Sequence, residues 1–227
     1  MHSLRTRQHE YIEAGVAAEI GRLIRSLGPC RTRLLHLHAR QGLRTLFFRA
    51  QLTKPQRPVI YDDEDKRDAS VKAVTDFFRV DVEEADFPAP NGQFDLVVWN
   101  RELVTVKHLA PALDEMRRVL EPGGMAILAV PNLAALHNRL LLLAGRQPTT
   151  LHVGSGDHIR GFTIPSMTSF LHRDLDFEVL RIRGIGLAPV TGTALPGPLR
   201  GLGHSAVWAI QKPAAGTGPS RPGRSAL

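Results

Sequence analysis

The sequence predicts one α/β domain: an open, seven-stranded, mostly parallel sheet closed by an antiparallel pair of strands, with helices on both faces. Short apolar segments alternate with segments of helical periodicity across residues 30–212, as parallel strands joined by crossover helices do. "FDLVVWN" (94–100) and "MAILAVPN" (125–132) are near-continuous apolar runs, the pattern of strands buried on both faces. "FEVLRIRG" and "SAVWAIQK" read as two further strands that complete the sheet. A length of 227 residues suits one such domain with additions, and 43% hydrophobic against 22% charged residues is the balance of a globular chain.

The elements follow in order. "RQHEYIEAGVAAEIGRLIRSLG" sets Ile12, Val16, Ile20, Leu23 and Ile24 on one helical stripe and ends at Gly28-Pro29, giving an N-terminal helical cap over residues 1–29. "RTRLLHL" is the first strand, and "GLRTLFFRAQL" a helix with Leu43, Leu46, Phe47 and Ala50 inward. "RPVIY" is a second, short strand ending at "DDED"; "KRDASVKAVTDF" reads as a helix and "FFRV" as a third strand. The fourth strand, "FDLVVWN", leads to the helix "HLAPALDEMRRVL". That helix is stopped by "EPGG", whose glycines supply a φ > 0 turn into the fifth strand. "LAALHNRLLLLAG" and "TIPSMTSFLHRD" are helices before the closing strands. Residues 213–227, rich in Pro, Gly, Ser and Ala, are expected to be a disordered basic tail.

A net charge of +7 and a pI near 10.3 raise the question of nucleic acid. The middle of the chain is acidic, however, and the basic excess lies in the two ends; no Asp or Glu occurs after Glu178. No aromatic residues alternate with the tail arginines Arg221 and Arg224, so a single-strand stacking platform is not supported and the basic ends read as solvated. The single cysteine, Cys30, excludes an internal disulfide framework, fits a reducing compartment and reads as a small hydrophobe beside a strand. No stretch approaches the roughly 20 apolar residues of a membrane span, and the N-terminal residues lack the apolar run of a signal peptide. The expectation is a cytoplasmic protein with no membrane partner.

From Asp81 to Asn132 the chain reads "DVEEADFPAPNGQFDLVVWNRELVTVKHLAPALDEMRRVLEPGGMAILAVPN". In order and spacing, Phe87-Pro88, Asn91-Gly92, Phe94-Asp95, Arg118-Val119-Leu120, Pro122-Gly123-Gly124 and Pro131-Asn132 resemble the core of the class I S-adenosylmethionine-dependent methyltransferases. The resemblance covers most of residues 30–211; "LHNRLLLLAGRQP" and "HIRGFTIPSMTSFL" are similar to substrate-side segments of small-molecule members. It implies a Rossmann-like sheet with S-adenosylmethionine outside the carboxyl ends of the strands. By this resemblance Asp62 accepts the ribose hydroxyls, Asp81 accepts the adenine amino group with Val82 on the ring, and Asn100 lines the methionine portion of the cofactor. The residues also permit plainer roles: acids of "DDEDK" favour a helix N-terminus, Asp81 is a strand-end aspartate, and Asn100 a turn residue.

The turn after the first strand departs from that pattern. In "LLHLHARQG" (34–42), His36 stands where the family has an acid, and His38 and Arg40 replace two of three glycines; Gly42 alone remains. Those glycines let backbone approach a ligand in conformations that a Cβ disfavours. The acid complements a cationic cofactor, so the departure is both steric and electrostatic. Two readings stay open. One is a methyltransferase acting on a small-molecule acceptor, with His36, His38, Arg40 and Gly42 in the cofactor site. The other is a catalytically inactive homologue that serves a partner protein or holds a more anionic ligand. His36, His38 and Asp62 or Asp63 offer too few ligands to specify a metal, and none is expected. Methyl transfer rests on proximity and in-line orientation, with a general base only where the acceptor must lose a proton. His108, His137 and His158 are the candidate bases. His137, His158 and Arg160 fall in segments that the resemblance places over the substrate cleft; each histidine also reads as a surface or capping residue.

Overall fold

The computed structural model describes residues 2–100, 102–151, 159–187 and 193–214. Its strands are β1 (Leu34–Leu37), β2 (Val59–Asp62), β3 (Asp76–Arg79), β4 (Phe94–Asn100), β5 (Leu120–Pro131), β6 (Glu178–Ile185) and β7 (Ser205–Gln211). They form one sheet in the order β3-β2-β1-β4-β5-β7-β6. β1 to β5 are parallel, and β7 inserts antiparallel between β5 and β6. The direction of strand succession reverses between β1 and β4, so their carboxyl ends mark the crevice where sheets of this kind hold ligands.

The helices are α1 (His2–Leu27), α2 (Leu43–Arg49), α3 (Ala69–Lys72), α4 (Leu109–Val119), α5 (Leu136–Leu143) and α6 (Ile164–Ser169), the last prolonged by a π-turn over Phe170–Asp174. Alternation along the strands divides the interior into two cores. Leu35, Leu37, Val97 and Trp99 face α4 and α6, which supply Leu113, Met116 and Met167. Leu34, Val98, Ile127 and Val207 face the other way, onto Ile12, Val16, Ile20, Leu23 and Ile24 of α1 and Phe48 of α2. Each such side chain contributes about 1.5–3 kcal/mol on burial, so α1 is fastened along its whole apolar stripe. The entry to β1 is pinned from a distance: the Asp95 carboxylate accepts the Thr32 and Arg33 backbone N–H groups at 2.8 and 2.9 Å and the Thr32 hydroxyl at 3.1 Å.

Several sequence expectations are corrected. α2 buries Thr45 and Phe48, while Leu43 and Phe47 are exposed, Leu46 is half-buried and Ala50 is exposed. The left-handed Gly42 (φ 76) before a seven-residue helix sets which face turns inward, and Phe47 lies over Gly21 of α1, where a Cβ would stand 2.8 Å from its ring. The helix expected over residues 66–77 shrinks to α3. Arg67 bonds Asp65 at 2.8 Å and the Thr75 carbonyl at 3.0 Å, folding both flanks of α3 back on themselves. Pro122-Gly123-Gly124 does not precede β5 but lies within it. The β4 register jumps from Phe94↔Leu120 to Leu96↔Met125, with Gly123 at φ 78, so the motif forms a bulge. Cys30 is exposed. β3, at one edge, buries none of its four residues fully, and α3 buries only Val71. Most of the expected tail, residues 215–227, lies outside the described residues.

Candidate functional site

A cavity of about 320 Å³ opens at the carboxyl ends of β1 and β2, lined by His38, Arg40, Asp62, Asp63, Lys66 and Thr105. It lies at the small end of the roughly 300–1,000 Å³ of ligand pockets. Its floor is the turn after β1, where His38 (φ 51), Arg40 (φ 53) and Gly42 (φ 76) are all left-handed. A side chain in that conformation costs about 1–2 kcal/mol, so the turn keeps a glycine-type path without the glycines. Hydrogen bonds hold it there. His38 N–H donates to the Tyr61 carbonyl at 2.8 Å, Arg40 N–H to Asp62 Oδ2 at 2.8 Å, and Gly42 N–H to the Ala39 carbonyl at 2.9 Å. The Trp99 indole N–H donates to His38 Nδ1 at 3.2 Å; an indole only donates, so the neutral ring of His38 carries its proton on Nε2. At Gly42 glycine is still required, because a Cβ would meet Val71 Cγ1 at 2.7 Å.

Asp62 forms the opposite wall. Its Oδ1 accepts the Asp63 N–H at 3.0 Å and its Oδ2 the Arg40 N–H, so the carboxylate ties the two turns together. Burial raises its pKa, and the neighbouring Asp63 carboxyl, hydrogen-bonded to it, is held below the ordinary range.

Residues 52–128, from the end of the α2 segment into β5, match a family described as a methyltransferase domain. The chain has a methyltransferase-like fold. Its fold is similar to that of an S-adenosylmethionine-dependent methyltransferase from Thermotoga maritima, at 14% identity over 88% of this chain and 91% of that one, with a TM-score of 0.62. A complex of the Haloferax volcanii Trm112 methyltransferase activator with a candidate methyltransferase contains a chain similar at 16% identity, 91% and 97% coverage and a TM-score of 0.59. The cyclase SpnF is similar at 16% identity, 88% and 80% coverage and a TM-score of 0.60. At such identities the likeness establishes the fold, and a cyclase among these structures illustrates that a fold does not fix a reaction. No curated protein matches the sequence.

The structure brings His38, Arg40 and Asp62 together and separates them from most of the other residues singled out in the sequence. His36 does not reach the cavity. It is 2% exposed beneath α2, its Nδ1 hydrogen-bonded to Thr45 Oγ1 at 2.6 Å and its ring edge-on to Phe48 at 5.3 Å. Burial, with smaller contributions from Arg44 and His38, holds its pKa down to about 3, so at neutral pH it is an uncharged part of the core. Val82 is buried among core residues, and Asp81 is exposed at the start of a 3₁₀ turn; neither lines the cavity. Asn100 is buried at the end of β4, and its Oδ1 has no hydrogen-bond partner among the described residues.

The candidate substrate residues are dispersed. His108 is exposed before α4. Arg160 reaches the loop after β4, its Nη2 donating to the Lys107 carbonyl at 2.6 Å, while Ile159 N–H donates to the Val104 carbonyl at 3.1 Å. His137 on α5 stacks on His204 at 5.2 Å and bonds Thr149 Oγ1 at 3.0 Å; burial lowers its pKa. His158 lies outside the described residues. Sequence reasoning missed Lys66 and Thr105 in the cavity wall: Lys66 reads as one member of a solvated charge run, and Thr105 gives no sequence signal. Among the described residues no group of three or more His, Cys, Asp or Glu could hold a metal ion, and no helix is long and apolar enough to cross a membrane.

Proposed function

We propose that this methyltransferase-like domain does not take up S-adenosylmethionine in the manner of the family it resembles, and that the chain acts as a non-catalytic binding subunit for a partner protein. The pair His38 and Arg40 carries the reading. Both hold the left-handed backbone that glycine serves elsewhere, and both put side chains into the lining of the cavity. The place of the family's acid is taken by a buried, neutral His36, and Arg40 and Lys66 offset the Asp62 and Asp63 carboxylates of the same lining, so the cavity is less suited to a cation than those carboxylates alone would make it. These residues do not fit that cofactor, and no methyl-transfer step is assigned to them. A partner protein accords with the Haloferax volcanii structure, in which the similar fold belongs to a complex with an activator.

A second reading, an active methyltransferase for a small-molecule acceptor, draws on Asp62 at the ribose position and on the unpartnered Oδ1 of Asn100 at the end of β4. Titration with S-adenosylmethionine and its demethylated product, followed by calorimetry and thermal melting, separates the two. Saturating ligand at about one hundred times its Kd would stabilise the fold by about 2.7 kcal/mol. The expected result is no heat and no shift at millimolar ligand; saturable binding of either compound overturns the proposal. A His38→Gly/Arg40→Gly variant, which empties the floor of the cavity and leaves His36 in place, is expected to gain measurable binding. A variant that folds and gains none would show that these two side chains are not what excludes the cofactor.

A further inference from the structure

We infer that the end of α5 and the turn beside it form a docking face for an anionic lipid surface. Leu140, Leu142 and Leu143 are 58%, 57% and 85% exposed, in a helix of eight residues. A run of exposed apolar side chains is not kept on a water-facing helix without use. The helix ends in a Schellman motif: Gly145 (φ 66) N–H donates to the Leu142 carbonyl at 3.0 Å and Arg146 N–H to the Leu141 carbonyl at 2.8 Å. The residue after the glycine in this motif commonly covers the last turn with an apolar side chain. Here it is Arg146, and the leucines stay uncovered.

The neighbouring 3₁₀ turn, Gly197–Leu202, adds Leu199, 45% exposed, and Arg200. Arg139 joins the two elements by donating to the Gly201 carbonyl at 3.4 Å. Gly145 and Gly197 have no atom within 4 Å of where a Cβ would stand, so the backbone at both points faces open space. No Asp or Glu occurs in residues 133–151 or 193–214; the carboxylate nearby is Glu178, which shares a groove with Arg200. Projecting leucines amid arginines suit the boundary between lipid headgroups and acyl chains, with the arginine stems apolar and their heads at phosphate level. A second copy of the chain fits less well: a two-fold contact would set Arg139 and Arg146 against their own kind, and four leucines fall short of the roughly 800 Å² per partner of a stable dimer. The absence of a membrane span among the described helices concerns crossing a bilayer, not resting on one.

The test is co-sedimentation of the full chain with phosphatidylcholine vesicles, alone or with added phosphatidylglycerol, at rising salt. Binding is expected to the anionic vesicles and to weaken as salt screens it. Leu142→Ser/Leu143→Ser is expected to lower the partition constant about tenfold, and Arg146→Gln about fivefold. Arg221→Gln/Arg224→Gln, in the tail, is expected to leave it within about twofold. Unchanged melting of each variant, expected because these side chains are exposed, keeps the readout on the surface. No binding to anionic vesicles overturns the inference, as does equal binding by the leucine variant or loss confined to the tail variant. Concentration-dependent dimers that Leu142→Ser/Leu143→Ser abolishes, without vesicle binding, would assign the face to self-association instead.

Discussion

Replacing His36 by aspartate is expected to lower the free energy of unfolding by about 3–5 kcal/mol at pH 7, read as a fall in the urea midpoint. The ring is wedged between Thr45 and Phe48, and the smaller carboxylate would carry a charge into that dry space with one hydroxyl to answer it. The acid of the family's pattern therefore cannot simply be put back. The same burial shapes the pH dependence of stability. Folded His36 holds its pKa near 3 against 6.5 for the free side chain, so below pH 6.5 the unfolded chain takes up a proton that the folded chain refuses. Its contribution is complete above pH 6.5 and is lost as pH falls from 6.5 towards 3, at about 1.4 kcal/mol per pH unit. Exchanging both partners for apolar groups, His36→Leu with Thr45→Val, is expected to flatten that acid limb at little cost near neutrality. An acid limb of unchanged slope in the double variant would show that another group titrates there.

Gly184→Ala is expected to cost roughly 3 kcal/mol. A Cβ on Gly184 of β6 would stand 2.1 Å from the Arg200 carbonyl oxygen and 2.7 Å from its carbonyl carbon, a collision with backbone that no rotamer relieves. The 3₁₀ turn would have to lift from the sheet, breaking the hydrogen bond from Leu195 N–H to the Gly184 carbonyl at 2.8 Å. Chemical denaturation gives the loss directly; an unchanged midpoint would mean that the turn detaches freely.

Long elements were legible in the sequence because their patterns repeat. The five-residue stripe of α1 is buried, "FDLVVWN" is buried throughout, and the closing strands pair as expected. Short elements were not. α2 and α3 contribute too few turns for periodicity to choose a face, and a left-handed glycine and an arginine knot decided their geometry instead. The site divides along the same line. His38, Arg40 and Asp62 sit where strand ends bring them, a matter of topology that sequence order reveals. His36 could not be placed from its neighbours, because whether a strand-end residue faces ligand or core depends on the helix that covers it. Lys66 and Thr105 reach the cavity through loops whose paths no periodicity describes.

The thin edge of the sheet has a consequence in time. β3 buries little and α3 anchors it through Val71, whereas β1, β4, β5 and β7 lie almost wholly inside and Asp95 staples the first two together. Amide protons of β3 and α3 are therefore expected to exchange with deuterium through local opening, well before those of β4 and β5, which wait for global unfolding. Mass spectrometry on peptic fragments would show it; uniform protection across the sheet would contradict it. Asp63 and Lys66 lie on the loop that leads to the early-opening α3, and Trp99 behind His38 stands on the late side. The cavity thus has one wall that breathes and one that does not.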